Sequence, residues 1–107
     1  MSTALADPAP VFAALGDPTR LSMLRRLSAG RPQSISALAE GARISRQAVT
    51  KHLRVLEGAG LVEQARVGRE SRFRYRPERV GEARGYLDAI SAQWDEALGR
   101  LKSFVET

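Results

Sequence analysis

The chain has 107 residues, 17 basic and 12 acidic side chains, a formal net charge of +5 and no cysteine. This length fits one compact domain, and 43% apolar with 27% charged residues is typical of a soluble globular protein rather than a disordered chain. The missing cysteines exclude a disulfide scaffold, a thiolate metal site and a cysteine nucleophile. The first ten residues show no signal-peptide pattern and no run of about 18 apolar residues occurs, so a cytoplasmic domain outside the membrane is expected.

The basic side chains are concentrated in the middle of the chain. Residues 20–76 contain 13 basic and 4 acidic residues, a local net charge of +9, whereas residues 1–19 and 77–107 each carry −2. Fifteen of the 17 basic residues are arginine, which codon bias alone can produce, so their placement is the better signal. A basic middle between acidic ends is typical of a face that binds a polyanion.

Two short helices are predicted first, each opened by an Asp-Pro pair that supplies an N-cap and a first helical residue. The first helix follows Asp7-Pro8 and ends at Gly16, and the second follows Asp17-Pro18 and ends at Gly30. Apolar residues mark one side of each helix: Val11, Phe12 and Leu15 in the first, and Leu21, Leu24 and Leu27 in the second.

A helix-turn-helix is predicted next. A short third helix begins at Ser34 and ends before Gly41, and a tight connection over residues 41–44 leads to Ser45, the N-cap of a fourth helix over about residues 45–57. The buried stripe of the fourth helix consists of Val49, Leu53 and Leu56. A short helix, a turn with glycine and a longer helix are the parts of this motif.

The apolar period then changes to that of strands, over about residues 61–76. Residues 61–67 alternate imperfectly, residues 68–71 form a turn, and residues 72–76 alternate strictly, with Phe73 and Tyr75 on one face and three arginines on the other. A β-hairpin after a helix-turn-helix is a wing. The predicted fold class is therefore mainly α with a β-hairpin wing, a single winged helix-turn-helix domain over residues 1–107.

A long helix over about residues 78–105 follows Pro77. Its apolar residues are spaced in 3-4-4-3-4 steps, close to a heptad seam: Leu87, Ile90, Trp94, Leu98, Leu101 and Val105. A monomer cannot easily cover such a stripe, so a homodimer formed by the N- and C-terminal helices is expected, with Val11 and Phe12 completing the interface. Whether the stripe also binds a ligand stays open.

The polar face of the fourth helix suits the reading of DNA. Arginine can donate twice to guanine, and glutamine can pair with adenine. Because the N-terminal half of a recognition helix meets the bases, we predict base contacts from Arg46, Gln47 and Thr50. Lys51 and Arg54 lie further along the helix and are predicted to bind phosphate.

Outside that helix, two features are predicted to reach DNA. Arg69 and Arg72 at the hairpin tip are placed to reach a neighbouring minor groove or the backbone, whereas Arg74 and Arg76 also fit a merely solvated face. Ser34 either caps its helix alone or also touches phosphate at the helix N-terminus.

Four stretches, in this order, resemble the arsenic-repressor-like (ArsR/SmtB) winged-helix regulators. They are Phe12-Ala-Ala-Leu-Gly-Asp-Pro-Thr-Arg20-Leu, Ser34-Ile-Ser-Ala-Leu-Ala39, Ser45-Arg-Gln-Ala-Val-Thr-Lys-His-Leu53 and Val55-Leu-Glu-Gly-Ala-Gly-Leu-Val62. The similarity covers about residues 10–76. It implies a bacterial homodimeric transcription factor, usually a repressor, that leaves its operator when a ligand binds.

The resemblance also implies particular DNA contacts. In that family the segment corresponding to residues 47–52 enters the major groove and the hairpin tip forms a wing contact. Carried over to this sequence, the implied contacts are Gln47, Thr50, Lys51 and His52 in the fourth helix, and Arg69, Ser71 and Arg72 in the wing.

The sequence departs from the metal-sensing members of the family. Ser34 and Ser36 stand where those members carry a Cys-x-Cys pair, and residues 77–107 contain no histidine for a zinc site between the last helices. His52 is the only imidazole, and a lone histidine more often packs or binds phosphate than ligates metal. We therefore predict no metal and no cofactor, as in the metal-independent branch, with a small-molecule or protein effector left unidentified.

Two functions follow from the sequence. The first is a sequence-specific repressor of double-stranded DNA that acts as a homodimer on an inverted repeat. The alternative is a winged-helix module that binds a protein or RNA through the same basic face. No catalytic triad pattern or glycine-rich phosphate loop is present, so an enzyme is not expected.

Overall fold

The structure, a computed structural model, describes residues 7–106, in which it shows five helices and three strands. In chain order these are α1 (Ala9–Leu15), α2 (Pro18–Ser28), β1 (Gln33–Ser34), α3 (Ile35–Ala42), α4 (Arg46–Gly58), β2 (Val62–Val67), β3 (Glu70–Tyr75) and α5 (Pro77–Glu106). The predicted fold class, a mainly helical winged helix-turn-helix, is confirmed.

Side-chain N-caps begin α2, α3 and α4, as the sequence predicts. Asp17, Ser34 and Ser45 each accept a hydrogen bond from the backbone N–H three residues later, at 3.0, 3.1 and 3.0 Å respectively. Each cap satisfies a donor that the first turn of a helix otherwise leaves without a partner. The start of the helix-turn-helix is therefore set by two serine hydroxyls.

The corner between α1 and α2 is held by an arginine. Arg20 donates from Nε to the carbonyl of Ala14 (2.7 Å) and from Nη2 to the carbonyl of Ala13 (3.1 Å), so its guanidinium closes the C-terminal end of α1. At the other end, α1 begins at Ala9, one residue later than predicted, and the Asp7 carboxylate accepts from the Ala9 N–H at 2.9 Å.

The third helix runs through Gly41 to Ala42, and the predicted end before Gly41 is wrong. The guanidinium of Arg26 lies against this glycine, where a Cβ atom would overlap it. Its Nη1 donates to the Leu38 carbonyl (3.3 Å) and its Nη2 to Oε1 of Gln33 (3.1 Å). Gly41 is needed for the close approach of a side chain rather than as a helix stop.

The sheet has the strand order β1–β3–β2, with both pairs antiparallel. The hairpin register runs from Val62 opposite Tyr75 to Val67 opposite Glu70, so the turn is shorter than the predicted 68–71. The third strand, β1, was not predicted. It pairs Ser34 with Arg72 and joins the wing to the start of the helix-turn-helix.

The core lies between the helices and the inner face of the sheet. The predicted stripe of α4 is confirmed, because Val49, Leu53 and Leu56 are at most 1% exposed, and Phe73 of the wing is also buried. Val11 is only 2% exposed and belongs to this core, which corrects its assignment to a dimer interface. The same core includes Met23, Leu27, Leu38, Leu61 and Val62.

The last helix, α5, extends away from this core. Its 30 residues span about 45 Å, and Ala83 is its only fully buried residue among those described. The radius of gyration is 18.4 Å, against about 13 Å for a compact chain of this length, and the longest dimension is 68 Å. Residues 7–106 therefore provide no covering layer for the distal part of α5.

No helix within residues 7–106 is both long enough and apolar enough to cross a membrane. The prediction that no signal peptide opens the chain concerns mainly residues 1–6, which lie outside the described residues.

Candidate nucleic-acid interface

The outward face of α4 carries polar side chains directly opposite its buried stripe. At about 100° per residue, Gln47, Lys51 and Arg54 share the side of the helix that points away from Val49 and Leu53. All three polar side chains are exposed. Neither Lys51 nor Arg54 has an acidic partner within residues 7–106, so the structure leaves both cations able to bind an anion.

Arg46 and Thr50 lie on one flank of this face. The Thr50 hydroxyl donates to the Arg46 carbonyl at 2.9 Å, a bond within the helix. Because that bond uses its proton, the Thr50 oxygen is left to accept a hydrogen bond and its methyl group to make apolar contacts. Arg46 is exposed, and no acceptor for its guanidinium is found among residues 7–106.

His52 lies on the opposite flank, against the beginning of α2. Its Nδ1 is 3.9 Å from Oδ2 of Asp17, and its side chain is 23% exposed. In sequence the histidine has no acidic neighbour, and the fold supplies one. The N–H of Arg20 donates to the Asp17 carboxylate and is the main reason that the pKa of Asp17 lies below its ordinary value, with the nearby Arg20 and His52 side chains adding to the effect.

The wing brings Ser34 and Arg72 together, because these residues are directly opposite in the β1–β3 pair. Ser34 Oγ accepts from the Ala37 N–H, so its capping role is established by a contact. Arg72 Nε donates to Oε1 of Glu70 at 2.6 Å. Both side chains of this ion pair are on the outer face of the hairpin, away from Phe73.

Arg69 and Ser71 occupy the tip itself. The Arg69 side chain is exposed, while its carbonyl accepts a hydrogen bond from Arg66 Nη1 at 3.4 Å. The Ser71 hydroxyl accepts from Gln64 Nε2 at 3.0 Å across the hairpin. The tip is thus braced by contacts within the hairpin, and its Arg69 guanidinium has no ion-pair partner among residues 7–106.

The base of the wing has an ion-pair network that the sequence did not indicate. Glu63 contacts Arg74 at 2.5 Å and Arg76 at 3.8 Å, and Arg76 also lies 3.5 Å from Glu78 at the start of α5. Glu63 and Arg74 are register partners across the hairpin. This register, which depends on the folded hairpin, is what brings the Glu63 carboxylate to Arg74.

Contacts within the protein reduce the number of cations in residues 20–76 that are available to bind an anion. Six of the 13 basic side chains are engaged within the described residues: Arg20, Arg26, Arg66, Arg72, Arg74 and Arg76. Within residues 7–106, the following cationic side chains neither form an ion pair nor donate a hydrogen bond: Arg25, Arg31, Arg43, Arg46, Lys51, Arg54 and Arg69. Four of these seven cations lie on α4 or at the wing tip, so the unpaired charge coincides with the predicted DNA face.

A second exposed surface lies on α5. Trp94 is 61% exposed, Leu98 55% and Leu101 57%, and the same stripe begins with the half-buried Val80 and the buried Ala83. Leu87 and Val105 are also exposed on it, whereas Ile90 is half-buried. Near its start, the ring of Tyr86 lies 6.2 Å from that of Phe12.

Among the described residues, no group of three histidine, aspartate or glutamate side chains is placed to hold a metal ion.

Comparison with known proteins agrees with this architecture. Residues 15–65 match a family model described as a helix-turn-helix domain. Over 101 residues the chain is 34% identical to the HTH-type transcriptional regulator Rv2034 of Mycobacterium tuberculosis, covering 94% of this chain and 91% of that protein. An ArsR-like transcriptional regulator from Rhodococcus sp. RHA1 superposes with a TM-score of 0.83 and 42% identity, over 96% of each chain. The chain belongs to the ArsR-like transcriptional regulators.

A homodimeric relative is also among the similar solved structures. A homodimeric winged helix-turn-helix DNA-binding domain from Mycobacterium bovis has 27% identity and a TM-score of 0.65, covering 87% of this chain and 89% of that one. The family resemblance seen in the motifs of the sequence is confirmed. Family and fold are those of DNA-binding regulators rather than of enzymes.

Proposed function

We propose that this ArsR-like regulator is a repressor that binds an inverted repeat in double-stranded DNA as a homodimer. The observation that carries the proposal is the outward face of α4, where Gln47, Lys51 and Arg54 are exposed directly opposite the buried stripe. A helix so anchored on one side presents its other side to a major groove as a rigid unit.

Roles on this face divide by position along the helix. Arg46 and Gln47 lie in the first turn and are the proposed readers of base edges, with Thr50 as an acceptor or a thymine contact. Lys51 and Arg54 follow and bind phosphate, joined by Arg69 at the wing tip. His52, held beside Asp17 at 3.9 Å, is proposed to direct its Nε2 toward the backbone. Ser34, Ser71 and Arg72 complete the proposed phosphate contacts.

The stripe on α5 supports the homodimer. Trp94, Leu98 and Leu101 are more than half exposed, which is unusual for a contiguous apolar face of a monomer. A second copy of α5 related by a twofold axis covers the stripe with the same residues. The proposed seam comprises Leu87, Ile90, Trp94, Leu98, Leu101 and Val105, with Phe12 beside it. The relative from Mycobacterium bovis, described as homodimeric, supports this arrangement.

A selection experiment tests the DNA-binding part. The purified protein is mixed with genomic DNA fragments and the retained fragments are sequenced. We expect one enriched motif with two inverted half-sites about one helical turn apart. Absence of any shared motif would contradict the proposal and favour a module that binds protein or RNA.

Variants then separate reading from anchoring. On the selected operator, Gln47→Ala should weaken binding more than on random DNA, whereas Lys51→Ala should weaken both equally. Arg100→Ala, an exposed cation on the distal part of α5, is the charge-matched control and should change neither. The association constant should fall by several log units per log unit of salt. Equal losses for Gln47→Ala on both DNAs would refute its role as a reader.

The repressor role needs a functional readout. A reporter promoter that overlaps the selected operator should be less active when the protein is expressed, and Lys51→Ala should restore its activity. Higher activity with the wild-type protein would identify an activator instead.

A further inference from the structure

The wing contains one arginine that is held by an acidic side chain of its own strand. Arg72 and Glu70 lie two residues apart on β3, so both side chains leave the same face of the hairpin. Arg72 Nε donates to Glu70 Oε1 at 2.6 Å. Arg69, three residues before Arg72, has no such partner among the described residues.

We propose that Glu70 sets the DNA affinity of the wing by competing with a DNA phosphate for the guanidinium of Arg72. This inference rests on the proposed function. It assigns Glu70 a role that neither motif nor charge count indicates, since the residue is an acid within a basic hairpin.

The backbone around the pair is fixed on both sides. Arg72 is in the central strand, opposite Ala65 of β2 and Ser34 of β1. Ser34 caps α3, so the guanidinium leaves the sheet beside the first turn of the helix-turn-helix. Its carboxylate partner is therefore on the same surface that is proposed to meet the DNA backbone.

The pair is also accessible to an incoming phosphate. The side chains of Arg72 and Glu70 are 36% and 49% exposed. An exposed ion pair contributes little to stability because water and salt screen it. A phosphate, like a carboxylate, can accept two parallel hydrogen bonds from a guanidinium, so it can replace Glu70 as the partner of Arg72. Once displaced, the Glu70 carboxylate stays close to the phosphate and repels it. Glu70 therefore weakens binding in two ways, because its pair with Arg72 must be broken and because the two anions repel each other.

A double-mutant cycle on one operator duplex tests the competition. At low salt we expect Glu70→Gln to raise the association constant about fivefold and Arg72→Gln to lower it by a similar factor. In the double variant, the gain from Glu70→Gln should fall below about twofold, because the cation that it releases is gone. For Glu70→Gln, the slope of the logarithm of the association constant against the logarithm of salt concentration should become steeper by about one, since one more phosphate is neutralised.

Glu57→Gln provides the matched control. Glu57 is an exposed acid on α4 with no ion-pair partner among the described residues, so its removal measures the general effect of one less negative charge. A gain for Glu57→Gln as large as that for Glu70→Gln would refute competition at Arg72. An equal gain for Glu70→Gln with and without Arg72 would refute it as well.

The failures of the two proposals are distinguishable. If Glu70→Gln binds like the wild type while Arg72→Gln is weakened, the wing contacts DNA but Glu70 does not limit it. If the wild-type protein retains no DNA at all, the proposed function itself is wrong. Thermal unfolding of each variant checks that the hairpin remains folded, which the exposed position of both side chains leads us to expect.

Discussion

Helices α4 and α5 are both amphipathic, yet residues 7–106 cover the apolar face of α4 and leave most of the α5 face exposed. On α4, Val49, Leu53 and Leu56 are at most 1% exposed, whereas Trp94, Leu98 and Leu101 on α5 are 55–61% exposed. Periodicity of apolar residues thus indicates that a face is covered but does not show by what. On α4 the cover is the rest of the domain, and on α5 we propose a second copy.

The largest effect is expected from a charge placed in the α5 stripe. Leu98→Asp buries a carboxylate in the proposed seam, so the protein should elute and scatter light as a monomer. DNA affinity should fall on the order of 100-fold, because the second half-site no longer binds as part of one molecule. Ala92→Asp, on the opposite side of α5, should leave mass and affinity unchanged. If the Leu98→Asp variant keeps the molar mass of the wild type in solution, the α5 stripe is not covered by a second copy.

Replacing one leucine by alanine in each helix should distinguish burial within the protomer from burial by a second copy. Leu56→Ala in α4 leaves a cavity in a fully buried site and should lower the free energy of unfolding by about 3 kcal/mol at any protein concentration. Leu101→Ala in α5 should lower the melting temperature only at concentrations where the wild type is dimeric. Melting curves over a hundredfold range of concentration measure both. A concentration-independent loss for Leu101→Ala would show that its own chain covers it.

Glycines at the two helices should respond in opposite directions. Gly60 follows α4 with a φ of +77°, and the Arg79 side chain of α5 lies against it, so Gly60→Ala should destabilise by about 1–2 kcal/mol. Gly99 lies within α5 with open space around its Cα, and Gly99→Ala should stabilise by about 0.5–1 kcal/mol. Chemical denaturation compares the two variants. Stabilisation by Gly60→Ala would contradict the strained turn.

The smallest effect concerns pH and the start of α2. The folded pKa of Asp17 is lowered mainly by the hydrogen bond from the Arg20 N–H, so the stability it contributes is complete above the unfolded value of about 3.9. That contribution is lost as pH falls through the lowered pKa. Asp17→Asn keeps a capping oxygen and removes the charge. The difference in unfolding free energy between wild type and Asp17→Asn should have its full value near pH 5 and shrink below about pH 4. A difference that persists at pH 2 would contradict this origin.

Local signals in the sequence predicted most of the fold. Ser34 and Ser45 are N-caps as predicted, and the alternation of Phe73 and Tyr75 against arginines describes the observed hairpin. These features depend on residues that are close in sequence. Strand β1 was missed because two residues carry no measurable period.

Partners that are distant in sequence were not predictable from it. The roles of Arg20 and Arg26 depend on carbonyls 6–12 residues away, and a count of charges places both on a DNA face. Val11 was predicted to complete a dimer interface together with Phe12, whereas in the structure it is buried in the core of its own chain. The residues of the candidate site were proposed from the sequence and stay a prediction, whereas the intramolecular contacts of His52, Thr50 and Arg72 became known only from the structure.

The pairing of β1 with β3 has a consequence for the order of folding. It joins Gln33 to Phe73, 40 positions later, whereas the caps and the hairpin turn close over a few residues. Closing such a long loop costs chain entropy that local contacts do not. During synthesis, therefore, α3 can form early, but its position relative to the wing is settled only when residue 73 has emerged. A chain truncated before β3 would keep only α1 to α4, β1 and β2, and it would lose the link that aligns the two parts of the proposed DNA face.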